Sequence, residues 1–187
     1  MPRRPLAAFA LFVLLGSLAG AHLAAEPPGS PSGPALVILV RHAEKAAEGG
    51  DDPALSTAGQ ARAQALVTAL EHSGVTAVVT SQLRRTWETA APLAAGRELE
   101  PEKVEVRRGE VEAHVQAVAA AVSRHAGGVV LVVGHSNTIP KIVTALGGPT
   151  LPDLCDGSYE DLFLLVPGQG SSPVRVVRAK YGAPSPC

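Results

Sequence analysis

Aromatic side chains are scarce: 3% of 187 residues, with one Trp, two Tyr and three Phe. A core must then be built from Val, Leu and Ala, and no set of rings offers a platform for stacked bases. Neither sign of charge dominates. Lys and Arg number 16, Asp and Glu 17, and the net charge is −1. That balance removes the basic surface that nucleic-acid binding needs, so no nucleic-acid partner is expected. Only two cysteines occur, Cys155 and Cys187. With no Cys-x-x-Cys, His-Glu-x-x-His or Asp-rich loop, the sequence implies neither a metal site nor a cofactor. The two thiols either pair or stay free, and spacing alone does not choose.

One hydrophobic run stands out at the start of the chain. Leu6 to Leu18 follows Arg3 and Arg4 and precedes Ala19-Gly20-Ala21. A positive start, a short apolar stretch and a small-x-small triplet describe a secretory signal, and Ala24 and Ala25 offer later cut points. The run is short for a membrane span, although an uncleaved anchor is the competing reading. The expected organisation is a signal peptide over 1–25, a Pro/Gly/Ser-rich lead-in over 26–34, and one domain over 35–187. The expected location is periplasmic or extracellular, without a stable membrane anchor after cleavage.

The rest alternates strand and helix signals. Leu36-Val37-Ile38-Leu39-Val40 and Val129-Val130-Leu131-Val132-Val133 are continuous β-branched and Leu runs, the signature of strands buried on both faces. Further strands are expected at Thr76–Thr80, Val104–Val106, Leu162–Val166 and Val174–Val177. Helices are expected from Ser56 or Thr57 to about Gly74, Arg84–Leu93, Glu110–His125 and Ile139–Leu146. Thr57 and Gln60 form a candidate capping box, and Pro92 predicts an early end or a kink. This alternation predicts a three-layer α/β/α sandwich around a mostly parallel sheet.

Both long buried runs end in histidine. Arg41-His42 follows the first and Gly134-His135 the second, which places two imidazoles at strand ends, where open α/β sheets bind ligands. An arginine beside one of them points to an anion. Ser81, Arg84 and Arg85 follow a third strand at a helix start, a position that favours negative ligands. Arg84 stands i, i+4 from Glu88 and suits a surface ion pair. Arg85 projects about a hundred degrees away and is the better pocket residue. His72, His114 and His125 have no partner motif and read as surface residues; Trp87 reads as core.

These residues resemble a known family. Arg41-His42-Ala43-Glu44 resembles the Arg-His-Gly/Ala-Glu signature of the histidine phosphatase superfamily, also called phosphoglycerate mutase-like. Leu55-Ser56-Thr57-Ala58-Gly59 is similar to its Leu-Ser/Thr-x-x-Gly segment. Ser81 to Ala90 is similar to Ser-x-Leu-x-Arg-x-x-x-Thr-Ala, and Gly134-His135-Ser136 to the second-histidine motif. The resemblance spans Val37 to about Val166. It implies a phosphoglycerate mutase-like fold and a phosphomonoester hydrolase that works through a phosphohistidine on His42. It further implies a phosphate pocket of Arg41, Arg85 and His135, and a proton donor after the second arginine. Glu110 is the first choice for that donor, Glu112 its neighbour, and Glu44 a further candidate. The expected partner is a small phosphorylated substrate. A phosphoglycerate-type mutase and a non-catalytic phospholigand-binding module are the alternatives.

Overall fold

The computed structural model describes residues 33–168 and 172–187. The signal and cleavage readings at 1–25 therefore lie outside the described residues, as does most of the lead-in. Gly33 already belongs to the fold, because its carbonyl accepts from the Gly127 N–H at 2.8 Å.

Strands β1 (Leu36–Arg41), β2 (Val75–Thr80), β3 (Glu102–Lys103), β4 (Val129–Gly134), β5 (Asp161–Val166) and β6 (Arg175–Lys180) form one sheet in the order β3-β2-β4-β1-β5-β6. The first four run parallel; β5 is antiparallel to β1, and β6 to β5. Helices α1 (Thr57–Ala69), α2 (Arg84–Gly96), α3 (Val111–Ser123) and α4 (Ile139–Ala145) cover its two faces. The chain moves outward from β1 through β2 to β3 and then turns back to β4. Right-handed crossovers thus put α1 and α2 on one face and α3 on the other.

Side chains of the central strands alternate between two cores. Val37, Leu39, Val130, Val132 and Phe163 meet Val115, Val118 and Val122 of α3 and Ile139, Ile142 and Val143 of α4. Ile38, Val40, Leu131, Val133 and Leu162 meet Leu66 and Leu70 beside Ala90, Leu93 and Ala94 of α2. Both layers are aliphatic, as the shortage of rings requires. The three-layer α/β/α sandwich with a mostly parallel sheet is present. Among the described residues no helix is long and apolar enough to cross a membrane.

Several local expectations shift. Ser56, not Thr57, caps α1, its hydroxyl accepting from the Gly59 N–H at 3.1 Å. Gly59 is also the only fit at its position: a Cβ there would stand 2.1 Å from the Glu44 carbonyl oxygen. Helix α2 runs through Pro92 to Gly96. Burial of Ala90, Leu93 and Ala94 around that proline offsets the lost backbone hydrogen bond. The strand expected at Val104–Val106 forms instead at Glu102–Lys103, pairing with Val79 and Thr80. Helix α3 starts at Val111 and leaves Glu110 as its N-cap.

Candidate active site

Three neighbouring parallel strands end level with one another. Arg41 pairs with Gly134 in register, and Thr80 with Val133. The next residues, His42, His135 and Ser81, therefore emerge together at the carboxyl edge. The His42 N–H continues the ladder to the Gly134 carbonyl at 2.9 Å. Both histidines are nearly buried, 5% and 8% exposed, and their rings meet edge to face with centroids 5.4 Å apart.

The His42 ring is held in one tautomer. Its Nδ1 lies 2.8 Å from the Ala43 carbonyl oxygen. A carbonyl only accepts, so Nδ1 carries the proton and the Nε2 lone pair is free. Burial first, then the positive charges of Arg41, Arg85 and Lys45, push His42 down to about 3. Burial and the neighbouring His42, Arg85, His114 and Arg41 push His135 down to about 3 as well. An imidazole in this setting is neutral throughout the physiological range, which a nucleophile requires.

Arg41 is clamped from behind. Its Nη1 donates to the carbonyls of Cys155, Asp156 and Ser158 at 3.0, 2.8 and 2.9 Å, and its guanidinium stacks 4.2 Å from the Tyr159 ring centroid. The buried Nε has no partner among the described residues. An Arg edge of Nε and Nη2 fits two oxygens of one oxyanion. Cys155 is disulfide-bonded to Cys187, which ties the clamping loop to the C-terminal tail. The Tyr159 N–H adds a second tie, donating to Ser185 Oγ at 3.0 Å.

Arg85 and Arg84 separate as their helical spacing predicts. Arg84 pairs with Glu88 at 2.9 Å and is half exposed. Arg85 is largely covered, and its Nη1 stands 3.8 Å from Asp52. The excursion 46–54 closes through the Ala46 N–H to the Ala54 carbonyl, and Asp52 returns on it to accept from the Arg84 N–H at 2.9 Å. Thr89 locks the floor, accepting from the Ala43 N–H and donating to the Arg85 carbonyl. The Ser81 hydroxyl stands 3.1 Å from His135 Nε2 and 2.9 Å from Thr86 Oγ1.

His42, His135, Arg41 and Arg85 thus converge. Glu110 does not join them. It is exposed at the start of α3, and the cleft beside Arg85 and His135 is lined by its neighbours Gly109 and Val111. Glu112 faces another groove and bonds Gln116. Glu44 is committed to Arg62 through three hydrogen bonds. Two residues unremarked in the sequence belong at the site, Asp52 and Tyr159, and Ser81 joins it through His135. His114 is a further correction. It is 4% exposed, and its Nδ1 bonds the Glu105 carbonyl. Trp87 is only half-buried, with Lys103 Nζ 5.3 Å from its ring centroid.

The neutral histidines tie stability to pH. A histidine with a folded pKa below its unfolded value of about 6.5 contributes nothing at pH 8. As pH falls below 6.5 the unfolded chain takes up protons that the native one does not, so stability drops until about pH 3. Each ring is expected to cost roughly 2 kcal/mol at pH 5. Urea unfolding at pH 7.5 and pH 5 measures this. A midpoint unchanged between the two pH values would show that the rings are not held neutral by burial.

The comparisons with known proteins agree with this fold. The family model of the histidine phosphatase superfamily (branch 1) matches residues 37–110, the stretch that holds Arg41, His42 and Arg85. Similar solved structures include a protein histidine phosphatase, SixA, complexed with tungstate. It is 18% identical, covers 78% of this chain and 96% of that one, and has a TM-score of 0.59. A phosphoserine phosphatase from Entamoeba histolytica with 3-phosphoglyceric acid is 15% identical, covering 80% and 97%, TM-score 0.57. A mycobacterial glucosyl-3-phosphoglycerate phosphatase is 18% identical, covering 80% and 99%, TM-score 0.57. No curated protein matches by sequence. Over residues 37–110, and in its fold, the chain is similar to the histidine phosphatase superfamily.

Proposed function

We propose that the protein is a phosphomonoester hydrolase that acts through a phosphohistidine on His42. One observation carries this reading. The neutral His42 ring, with Nε2 unoccupied, stands beside His135 and between two guanidiniums, one of which keeps a buried Nε without a partner.

A phosphate monoester docks with its oxygens on the free edge of Arg41, on Arg85 and on the His135 ring. His42 Nε2 attacks phosphorus in line with the ester oxygen. The P–N bond forms as the P–O bond breaks, and the leaving alkoxide takes a proton from water. Glu110, outside the cleft, is set aside as donor. Water then attacks the phosphohistidine, the P–N bond breaks, and phosphate leaves with the imidazole neutral again. The arginines and His135 act mainly by stabilising charge that builds on the equatorial oxygens.

Purified enzyme with 4-nitrophenyl phosphate tests the activity. Steady release of nitrophenol and phosphate in equal amounts is expected. Phosphate binding without turnover would favour the phospholigand-binding module instead, and transfer of the phosphoryl group to a second hydroxyl would favour a mutase.

Export belongs to the same proposal. The Cys155–Cys187 disulfide supports it, because such bonds persist in oxidising compartments. Cell fractionation with N-terminal sequencing is expected to find a mature chain in the periplasm or medium beginning between His22 and Glu26. An intact chain in the cytoplasm would refute it.

A further inference from the structure

The loop behind Arg41 has little of its own to hold it. Cys155, Asp156, Gly157 and Ser158 belong to no helix or strand, and none of the four enters either hydrophobic core. The loop is pinned at its entry, where the Leu154 N–H donates to the Ser136 carbonyl at 3.0 Å. It is pinned again at its exit, where the Ser158 hydroxyl donates to Asp161 at 2.8 Å. Between those anchors the tail after β6 holds it. The Cys155–Cys187 bond joins residues 32 apart in sequence. The tail lies directly on Gly157: a Cβ there would stand 2.9 Å from the Cys187 sulfur and 2.9 Å from the Pro186 carbonyl oxygen. The Ser185 N–H adds a contact to Glu160 Oε2 at 3.2 Å. Both cysteines are exposed, so a small thiol reaches the bond while the fold is intact.

Three carbonyls of this loop occupy Arg41 Nη1. They set the rotation of the guanidinium, and with it the direction of the edge left for an oxyanion. A planar fork loses its paired hydrogen bonds when it turns, which a point charge does not. Resting on the hydrolase reading above, we infer that the Cys155–Cys187 bond is a redox-controlled positioning element for Arg41: the disulfide form binds the phosphoryl group tightly and the dithiol form weakly. The switching step is exchange with a small dithiol. One thiolate of the reductant attacks a protein sulfur and forms a mixed disulfide, and its second thiolate then displaces that sulfur. The reductant is oxidised by two electrons to its own disulfide, and its two protons end on the protein thiols. A reducing compartment maintains the dithiol form, and oxidation completes the site.

Calorimetry with inorganic phosphate, on oxidised protein and on protein reduced by dithiothreitol, tests this. Thiols are counted by mass after alkylation, and circular dichroism follows the fold. Reduction is expected to weaken phosphate binding about tenfold, the size of one misplaced charge-assisted hydrogen bond. The kcat/KM for 4-nitrophenyl phosphate should fall in step, and reoxidation should restore both. Cys187→Ser should match the reduced protein and ignore dithiothreitol. Arg41→Lys lacks the forked edge, so there reduction should shift the phosphate Kd by less than about twofold. A bond with only a structural role would give the same shift with or without that edge. Phosphate binding unchanged in fully reduced, folded protein would overturn the inference. Loss of the fold on reduction would overturn it too, making the bond a staple only. If no ester is hydrolysed, the phosphate Kd values still decide it, and the failed turnover counts against the hydrolase reading alone. Oxidised protein that binds no phosphate would sink both.

Discussion

Replacing His42 by Asn is expected to lower kcat for 4-nitrophenyl phosphate by at least about 10⁴-fold while leaving KM within a few fold. Removal of a catalytic nucleophile has effects of this size in other enzymes. The asymmetry between the two constants follows from the geometry. The oxygens of the ester rest on Arg41, Arg85 and His135, which the substitution leaves in place, whereas the attacking lone pair is lost. Asn is the chosen replacement because its amide still reaches a backbone carbonyl where the His42 Nδ1–H donates to Ala43. It also removes a largely buried ring without opening the void that Ala would leave. Inorganic phosphate should bind this variant about as well as the wild type, which separates lost chemistry from lost folding. A kcat within tenfold of the wild type would mean that another group attacks phosphorus.

Arg62→Ala is expected to cost about 3 kcal/mol or more of stability, a large share of what a domain of this size has. The guanidinium is 3% exposed. It donates to both Glu44 oxygens, to the Tyr181 carbonyl at 3.0 Å and to the Ala183 carbonyl at 2.9 Å. One side chain thereby fastens the loop after His42 to α1 and to the C-terminal tail. In the native protein burial pushes the Glu44 carboxyl up, and the Arg62 hydrogen bonds and charge more than offset it, leaving Glu44 below its ordinary value. A depressed carboxylate contributes stability above its unfolded pKa of about 4.3 and loses it as pH falls through the folded value. Without Arg62 the burial effect loses its main opponent, and only a backbone hydrogen bond and the Arg41 charge still act against it. Urea unfolding at pH 7 measures the loss. A variant within about 0.5 kcal/mol of the wild type would show that Glu44 and the tail are held by other contacts. Activity is expected to fall with it, since Glu44 is two residues from His42.

Much of this site was legible in the chain. β1 and β4 show as unbroken aliphatic runs because both their faces are covered, and each run ends where the sheet edge opens. That alone puts Arg41, His42 and His135 at one rim. Arg85 could be told from Arg84 by helical geometry, because an i, i+4 acid claims Arg84. What stayed hidden depends on chain segments that carry no periodic pattern. Asp52 reaches Arg85 only because the excursion from Lys45 to Leu55 folds back on itself. Tyr159 reaches Arg41 because the loop after Leu154 is held by backbone carbonyls and by Cys187. Those contacts depend on neither side-chain spacing nor hydropathy. Glu110 was favoured for its place after the second arginine, yet a helix N-cap projects according to the turn before it. The turn at Gly109 sends Arg107 and Arg108 into the cleft instead. His114 reads as a surface residue because no partner motif accompanies it. The Glu105 carbonyl, from outside the helix, is what makes its burial tolerable.

The measurement closest to the centre of this account is mass spectrometry of enzyme quenched in alkaline denaturant during turnover, since a phosphoramidate survives base and is lost in acid. A single phosphoryl group on His42, formed at least as fast as steady turnover and absent in His42→Asn, is the predicted result. Turnover with no covalent phosphate, or with phosphate on another residue, would contradict it.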